Sequence, residues 1–195
     1  MLTLIHLTGN NWPRKGYQYP NGDPYKPEEI KRQWDRTSDY AKNYGTWLHY
    51  NIERHFNGLQ PSKKLLEMSQ FQKFEKLWIV DQNVTPIRTE WKIVAPEWNL
   101  AGTIDFVGQK ADGTYVIMDW KRSFKLQENL TNQFNRKALP PLEHIDDCDG
   151  SKYFLQLNLY KHILEKKYDI QVSSMVLASF HSKLDHYLAV EVPVR

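Results

Sequence analysis

The spacing of apolar positions changes twice along the chain. Between residues 27 and 78 it is helical, with Ile30, Trp34 and Tyr40 in one stretch and Leu65, Leu66, Phe71, Phe74, Leu77 and Trp78 in another. Pro27 followed by Glu28 and Glu29 marks a helix start, because proline needs no partner there and acids suit the positive end of the dipole. A break is expected near Gly45, and a second helical piece over 46–56 should stop at Asn57-Gly58. Ser62 is placed to cap a third helix. The period then shortens, and 87–94, 100–108 and 114–120 read as three strands joined by Ala95-Pro96-Glu97 and Ala111-Asp112-Gly113 turns. Such short connections favour an antiparallel meander. Helical spacing returns over 152–168, where Tyr153, Leu157, Tyr160, Leu164 and Tyr168 form an apolar stripe. Two β-rich runs, 172–180 and 186–192, close the chain. Helices, three strands, a helix and two strands predict an α/β fold with a central mixed β-sheet flanked by α-helices.

Length and composition narrow this picture. A chain of 195 residues fits one domain, divided here into an N-terminal arm (1–25), a helical part (26–80) and an α/β core (87–195). With 41% hydrophobic and 25% charged residues it is an ordinary globular sequence. The net charge of +3 permits a nucleic-acid partner but is too mild to argue for one. The single Cys148 excludes a disulfide framework within the chain, a multi-cysteine zinc site and an iron–sulfur cluster. No apolar run approaches the roughly 18 residues of a membrane span. The opening residues, 1–7, are too short for a secretion signal, so an intracellular protein is expected, in cytoplasm, nucleus or viral factory.

The candidate chemistry centres on 115–123. Tyr115-Val116-Ile117-Met118 leads into Asp119-Trp120-Lys121, and residues two apart on a strand share a face. Asp119 and Lys121 therefore point one way and Trp120 the other. If the strand carrying Asp105 pairs with this one, two carboxylates meet at one edge of the sheet and call for a cation between them. Hard oxygen ligands with room for water suit Mg²⁺ or Mn²⁺. A solvated Asp–Lys pair is the simpler reading of Asp119 and Lys121 alone. Glu90 in the preceding strand offers a third carboxylate, and His49 stands in Gly45-Thr46-Trp47-Leu48-His49. A lone helical histidine is more often structural than a ligand. Gln156 and Tyr160, four apart, place an amide and a phenol together, or serve packing. The 122–150 connection carries Arg122, Lys125, Arg136 and Lys137, which are candidate phosphate contacts or a solvated basic loop.

Together, Gly45-x-x-x-His49, Glu90, Gly102-x-x-Asp105, Asp119-x-Lys121 and Gln156-x-x-x-Tyr160 resemble the motifs of the PD-(D/E)XK nuclease superfamily. They are most similar to its RecB-like branch, which includes the mitochondrial genome maintenance exonucleases. The resemblance covers roughly residues 45 to 180. It implies a restriction-endonuclease-like core in which Asp105 and Asp119 bind the metal, with the Trp120 carbonyl and His49 as further ligands. It implies that Lys121 is the catalytic lysine, Glu90 an auxiliary acid, and Gln156 and Tyr160 a support for site and substrate. The implied activity is metal-dependent hydrolysis of DNA, with a lean toward exonuclease action on single strands or free ends in replication, recombination or repair. A helicase or replication partner is left open. The alternatives are a DNA-binding scaffold with a decayed site, or an RNA endonuclease of the same fold.

Overall fold

The computed structural model describes residues 16–62, 65–133 and 135–194. Residues 1–15 of the expected arm therefore lie outside the described residues. By internal contacts the chain forms two units, Met1–Tyr44 and Gly45–Arg195. In the first, the Gln18–Pro24 bridge closes a turn through Gly22, which takes the left-handed conformation. Trp34 Nε1 donates to the Tyr17 hydroxyl at 2.9 Å, and Glu29 accepts from the Lys26 N–H at 2.8 Å.

Helix α1 (Pro27–Phe56) is continuous, so the break expected at Gly45 does not occur. One glycine costs a helix only about 1 kcal/mol relative to alanine. Leu48 and Ile52, both fully buried beyond it, more than offset that amount. The helix stops where expected: Gly58 has φ +69°, a conformation that favours glycine. Ser62 is not a cap. Its N–H and hydroxyl both donate to the Asn51 side-chain oxygen, and α2 starts later (Glu67–Glu75), running into a π-helical turn, Lys76–Val80.

The meander is present as β1 (Thr85–Ala95), β2 (Leu100–Gln109) and β3 (Tyr115–Lys121). After it come a short α3 (Leu126–Asn129), then α4 (Asp149–Lys167), β4 (Val172–Ser179) and β5 (Leu188–Glu191). The sheet order is β1-β2-β3-β4-β5, antiparallel except for the parallel pair β3–β4. This is the predicted α/β architecture, a mixed sheet with helices on it, consistent with a restriction-endonuclease-like core.

The sheet separates two apolar layers. On one side α4 contributes Leu157, Ile163 and Leu164 to a core with Ile93, Ile104, Ile117 and Leu177. On the other, Phe71 and Phe74 of α2 meet Trp120 edge-on, Phe74 also meets Phe180, and Phe106 tilts against Trp120. The 122–150 connection is more ordered than its length suggests. Leu126 is fully buried in the α4-side core, and a Cβ on Gly150 would come within 2.6 Å of the Leu130 backbone.

Candidate active site

Asp105 stands within β2, which continues four residues past it, to Gln109. What ends at Asp105 is the pairing. The β2–β3 ladder runs from Gln109–Tyr115 to Phe106–Met118 and goes no further, so the strands part where Asp105 and Asp119 stand. Beyond the fork the Trp120 N–H has no β2 carbonyl to meet. It donates instead to the Asp105 carboxylate, Oδ2, at 2.6 Å. A buried backbone donor must find some partner, and here the partner is a side chain.

Across the fork lies His49 of α1. Its Nδ1 is 3.2 Å from Glu90 Oε1 and 3.5 Å from Asp105 Oδ1, and its Nε2 donates to the Trp120 carbonyl at 3.1 Å. Glu90 reaches this position through an irregular backbone. Its φ is +47° in mid-strand, a conformation that is rare outside glycine and that skips one pairing between Thr89–Phe106 and Trp91–Ile104. Donor atoms of His49, Glu90 and Asp105 all lie within 4.8 Å of one another.

Asp119 and Lys121 share a face, as the alternation required, and Nζ lies 2.6 Å from Asp119 Oδ2. Oδ2 is buried, and this ammonium is the charge that meets it. Lys121 is also held against the Tyr153 ring, 4.8 Å from its centre. Tyr153 belongs to the apolar stripe, which reads as core in sequence. Its position one turn before Gln156, on the same face as Tyr160, was the available signal.

Burial penalises the His49 charge, but Asp105 and Glu90 outweigh it and raise the pKa to about 10. Burial, then the charge of Asp105, pushes Asp119 up to about 6 against the pull of Lys121 and His49. Burial also works against the Lys121 charge, and Asp119 beside it holds the pKa above the ordinary lysine value. Three carboxylates, two of them buried, set against one imidazolium and one ammonium describe a site deficient in positive charge. Hard oxygen donors with one imidazole and no thiolate fit a divalent cation of the Mg²⁺ or Mn²⁺ kind. The Trp120 carbonyl, expected as a ligand, is turned toward His49 Nε2. That contact suits it to orient the imidazole.

Gln156 and Tyr160 are brought together, with Nε2 donating to the phenol oxygen at 3.0 Å. The Tyr160 ring lies over Gly102, where an added Cβ would meet it at 2.4 Å. The basic residues divide. Lys125 and Arg136 line one groove of about 300 Å³ in the 122–150 connection. Lys137 pairs with Asp146 across a bridge. Arg122 does not fit the expected role: its side chain is 5% exposed and bonds Glu67 of α2 at 2.7 and 2.8 Å, which leaves no face for a phosphate. A cavity of about 490 Å³ lies on the opposite face of β3, lined by Val116 and Met118, and holds none of these groups.

No helix among the described residues is long and apolar enough to cross a membrane. No family model matches the sequence, and none of the curated proteins does. Among solved structures, a repair endonuclease from Pyrococcus abyssi is similar at 18% identity and a TM-score of 0.33, over 63% of this chain and 42% of that one. The chain thus spans less than half of that structure's length, and at this TM-score the likeness is too remote to transfer an activity.

Proposed function

We propose that the chain is a divalent-metal-dependent nuclease of the PD-(D/E)XK type, RecB-like branch, hydrolysing phosphodiester bonds in DNA. The observation that carries this reading is the convergence, at one fork in the sheet, of three carboxylates, Glu90, Asp105 and Asp119, with only His49 and Lys121 to offset them. Packing alone has no use for such a set, because like charges at short range destabilise a folded chain unless a cation is meant to join them.

His49, Glu90, Asp105 and Asp119 hold the metal in this reading. When bound, a divalent cation lowers the pKa of a bound water and polarises the phosphoryl oxygen. Lys121 stays protonated, and its ammonium, fixed between Asp119 and Tyr153, donates a hydrogen bond to the attacking water or to the charge that develops on the phosphorus oxygens. Asp119 therefore has two tasks, as ligand and as anchor of the lysine. Gln156 and Tyr160 brace α4 against β2 beside the cleft. DNA with single-stranded or free ends is the proposed substrate and Mg²⁺ or Mn²⁺ the proposed metal.

The test is cleavage of end-labelled linear and circular single-stranded DNA, duplex DNA and matched RNA, with Mn²⁺, Mg²⁺ or chelator. Metal-dependent cutting of linear single strands is expected. No cutting of any substrate would refute the reading, cutting of circles would exclude strict exonuclease action, and cutting of RNA alone would reassign the substrate.

A further inference from the structure

Beside the fork, the loops leaving β3 and β4 bring together three residues with no part in the core or in the metal cluster. Phe124 is 42% exposed, unusual for a phenylalanine whose neighbours have folded around it. The Lys183 ammonium lies 4.6 Å from its ring centre and that of Lys125 5.6 Å. Neither lysine has a carboxylate partner among the described residues. Both charges fall within about one screening length, about 10 Å, of each other, an arrangement that favours an anion between them.

The platform is braced from behind. The Phe124 ring rests on His181, 5.0 Å away, and His181 is buried. Gln70 of α2 accepts from the His181 N–H at 2.9 Å and donates to its carbonyl at 3.1 Å. Its amide also donates to the Leu184 carbonyl at 2.6 Å, and the Lys183 N–H donates to His181 Nδ1 at 3.0 Å. The 181–184 turn is thus fixed before anything binds, so little order is lost on binding. On the other side Ser179 Oγ takes the Ser123 N–H at 3.2 Å and donates to the Ser123 carbonyl at 2.6 Å, which holds the start of the Phe124 loop. Phe124 lies three positions beyond Lys121, a reach of at most about 11 Å. That is about three nucleotides of a stacked strand at roughly 3.4 Å each.

We infer that Phe124 is a stacking platform for a base of single-stranded DNA, and that Lys125 and Lys183 neutralise the phosphates on either side of that base. The base takes the place over the ring that the ammonium groups occupy in the free protein, and the lysines swing onto the backbone. An aromatic face with flanking cations is how single strands are held without regard to sequence, since every base has a π-face. A paired, stacked duplex cannot offer a base to the ring. The inference rests on the nuclease reading of the neighbouring site and adds to it what selects the substrate.

Binding is measured with the Asp119→Asn variant, so that cleavage plays no part, using fluorescein-labelled oligo(dT) and a blunt hairpin duplex. Adding Phe124→Ala should weaken oligo(dT) binding about tenfold and leave the duplex nearly unchanged, and Phe124→Trp should restore the affinity. Adding Lys183→Ala should lower the slope of log affinity against log salt by roughly one. Unchanged oligo(dT) affinity in Phe124→Ala, or an equal loss for hairpin and single strand, overturns the inference. Parallel cleavage by the wild-type protein and by Phe124→Ala alone separates the two readings: cutting that is indifferent to Phe124 sinks only the platform. Phe124-dependent binding without any cutting sinks only the nuclease.

Discussion

Two faces of one strand end, a single residue apart, are built on opposite terms. Trp120 is enclosed by Phe71, Phe74, Phe106 and Phe180, with ring centres 5.5 to 6.2 Å away, and has no free surface. Asp119 and Lys121 look the other way, into a cluster of charges that burial penalises. The first face is stabilised by what it excludes from water. The second is held in place by the first, and carries an electrostatic deficit that a bound cation would relieve. The rigid aromatic layer is what allows a strained, charged site to persist beside it.

The sharpest way to separate the two faces is to change one residue on each. Asp119→Asn or Lys121→Ala should cut the cleavage rate on the order of 10³-fold while the protein still melts as a cooperative unit. A variant that keeps near wild-type rates would break the assignment of chemistry to this face. Trp120→Ala should do the reverse, costing about 3–5 kcal/mol of stability by opening a cavity, visible as a large fall in Tm. Arg122→Ala should also cost about 3–5 kcal/mol, because it strands Glu67 as a buried charge. If Arg122→Ala instead weakens DNA binding at unchanged Tm, the residue belongs to the substrate path after all.

Smaller effects sharpen the boundary. Gly102→Ala forces a Cβ against the Tyr160 ring and should cost about 1–3 kcal/mol, with Gly102→Ala and Tyr160→Ala less than additive if the clash is the cause. The mildest test is pH. His49 has a folded pKa of about 10, above its unfolded value, so its contribution is complete below about 6.5 and lost as pH rises through 10. Asp119, raised to about 6, works in the same direction, favouring the fold below about 3.9 and losing that contribution as pH rises through 6. Chelator-treated protein should therefore melt lower at pH 9 than at pH 7. Mn²⁺ should restore more stability at pH 9, since metal and proton compete for His49. Melting curves that are flat across this range would remove His49 from the ligand set.

Much of the framework was legible in the sequence because it depends on local period. The meander, the stripe on α4 and the shared face of Asp119 and Lys121 follow from alternation and helical spacing. What was not legible depends on partners distant in the chain. Nothing near Arg122 announces that Glu67 will bury it, and nothing near Phe124 announces Lys183. Gly45 reads locally as a breaker, yet the apolar residues after it carry the helix through. Glu90 reads as a plain strand residue, and its left-handed backbone appears only when β1 meets β2 and must skip a pair. Tyr153 looked like core because half of its surroundings are core.

The fork where β2 and β3 part has a further consequence, for folding fidelity. A slip of β3 by one position would turn Trp120 into the charged cleft and drive Asp119 and Lys121 among the phenylalanine rings. Each misplacement is heavily disfavoured by itself, and the two occur together. The correct alignment also lets Asp105 take up the Trp120 N–H that the open ladder leaves over. The residues proposed to cut a phosphodiester thus double as a registration mark for the central strand. A chain that has assembled its site has, by the same contacts, verified its fold.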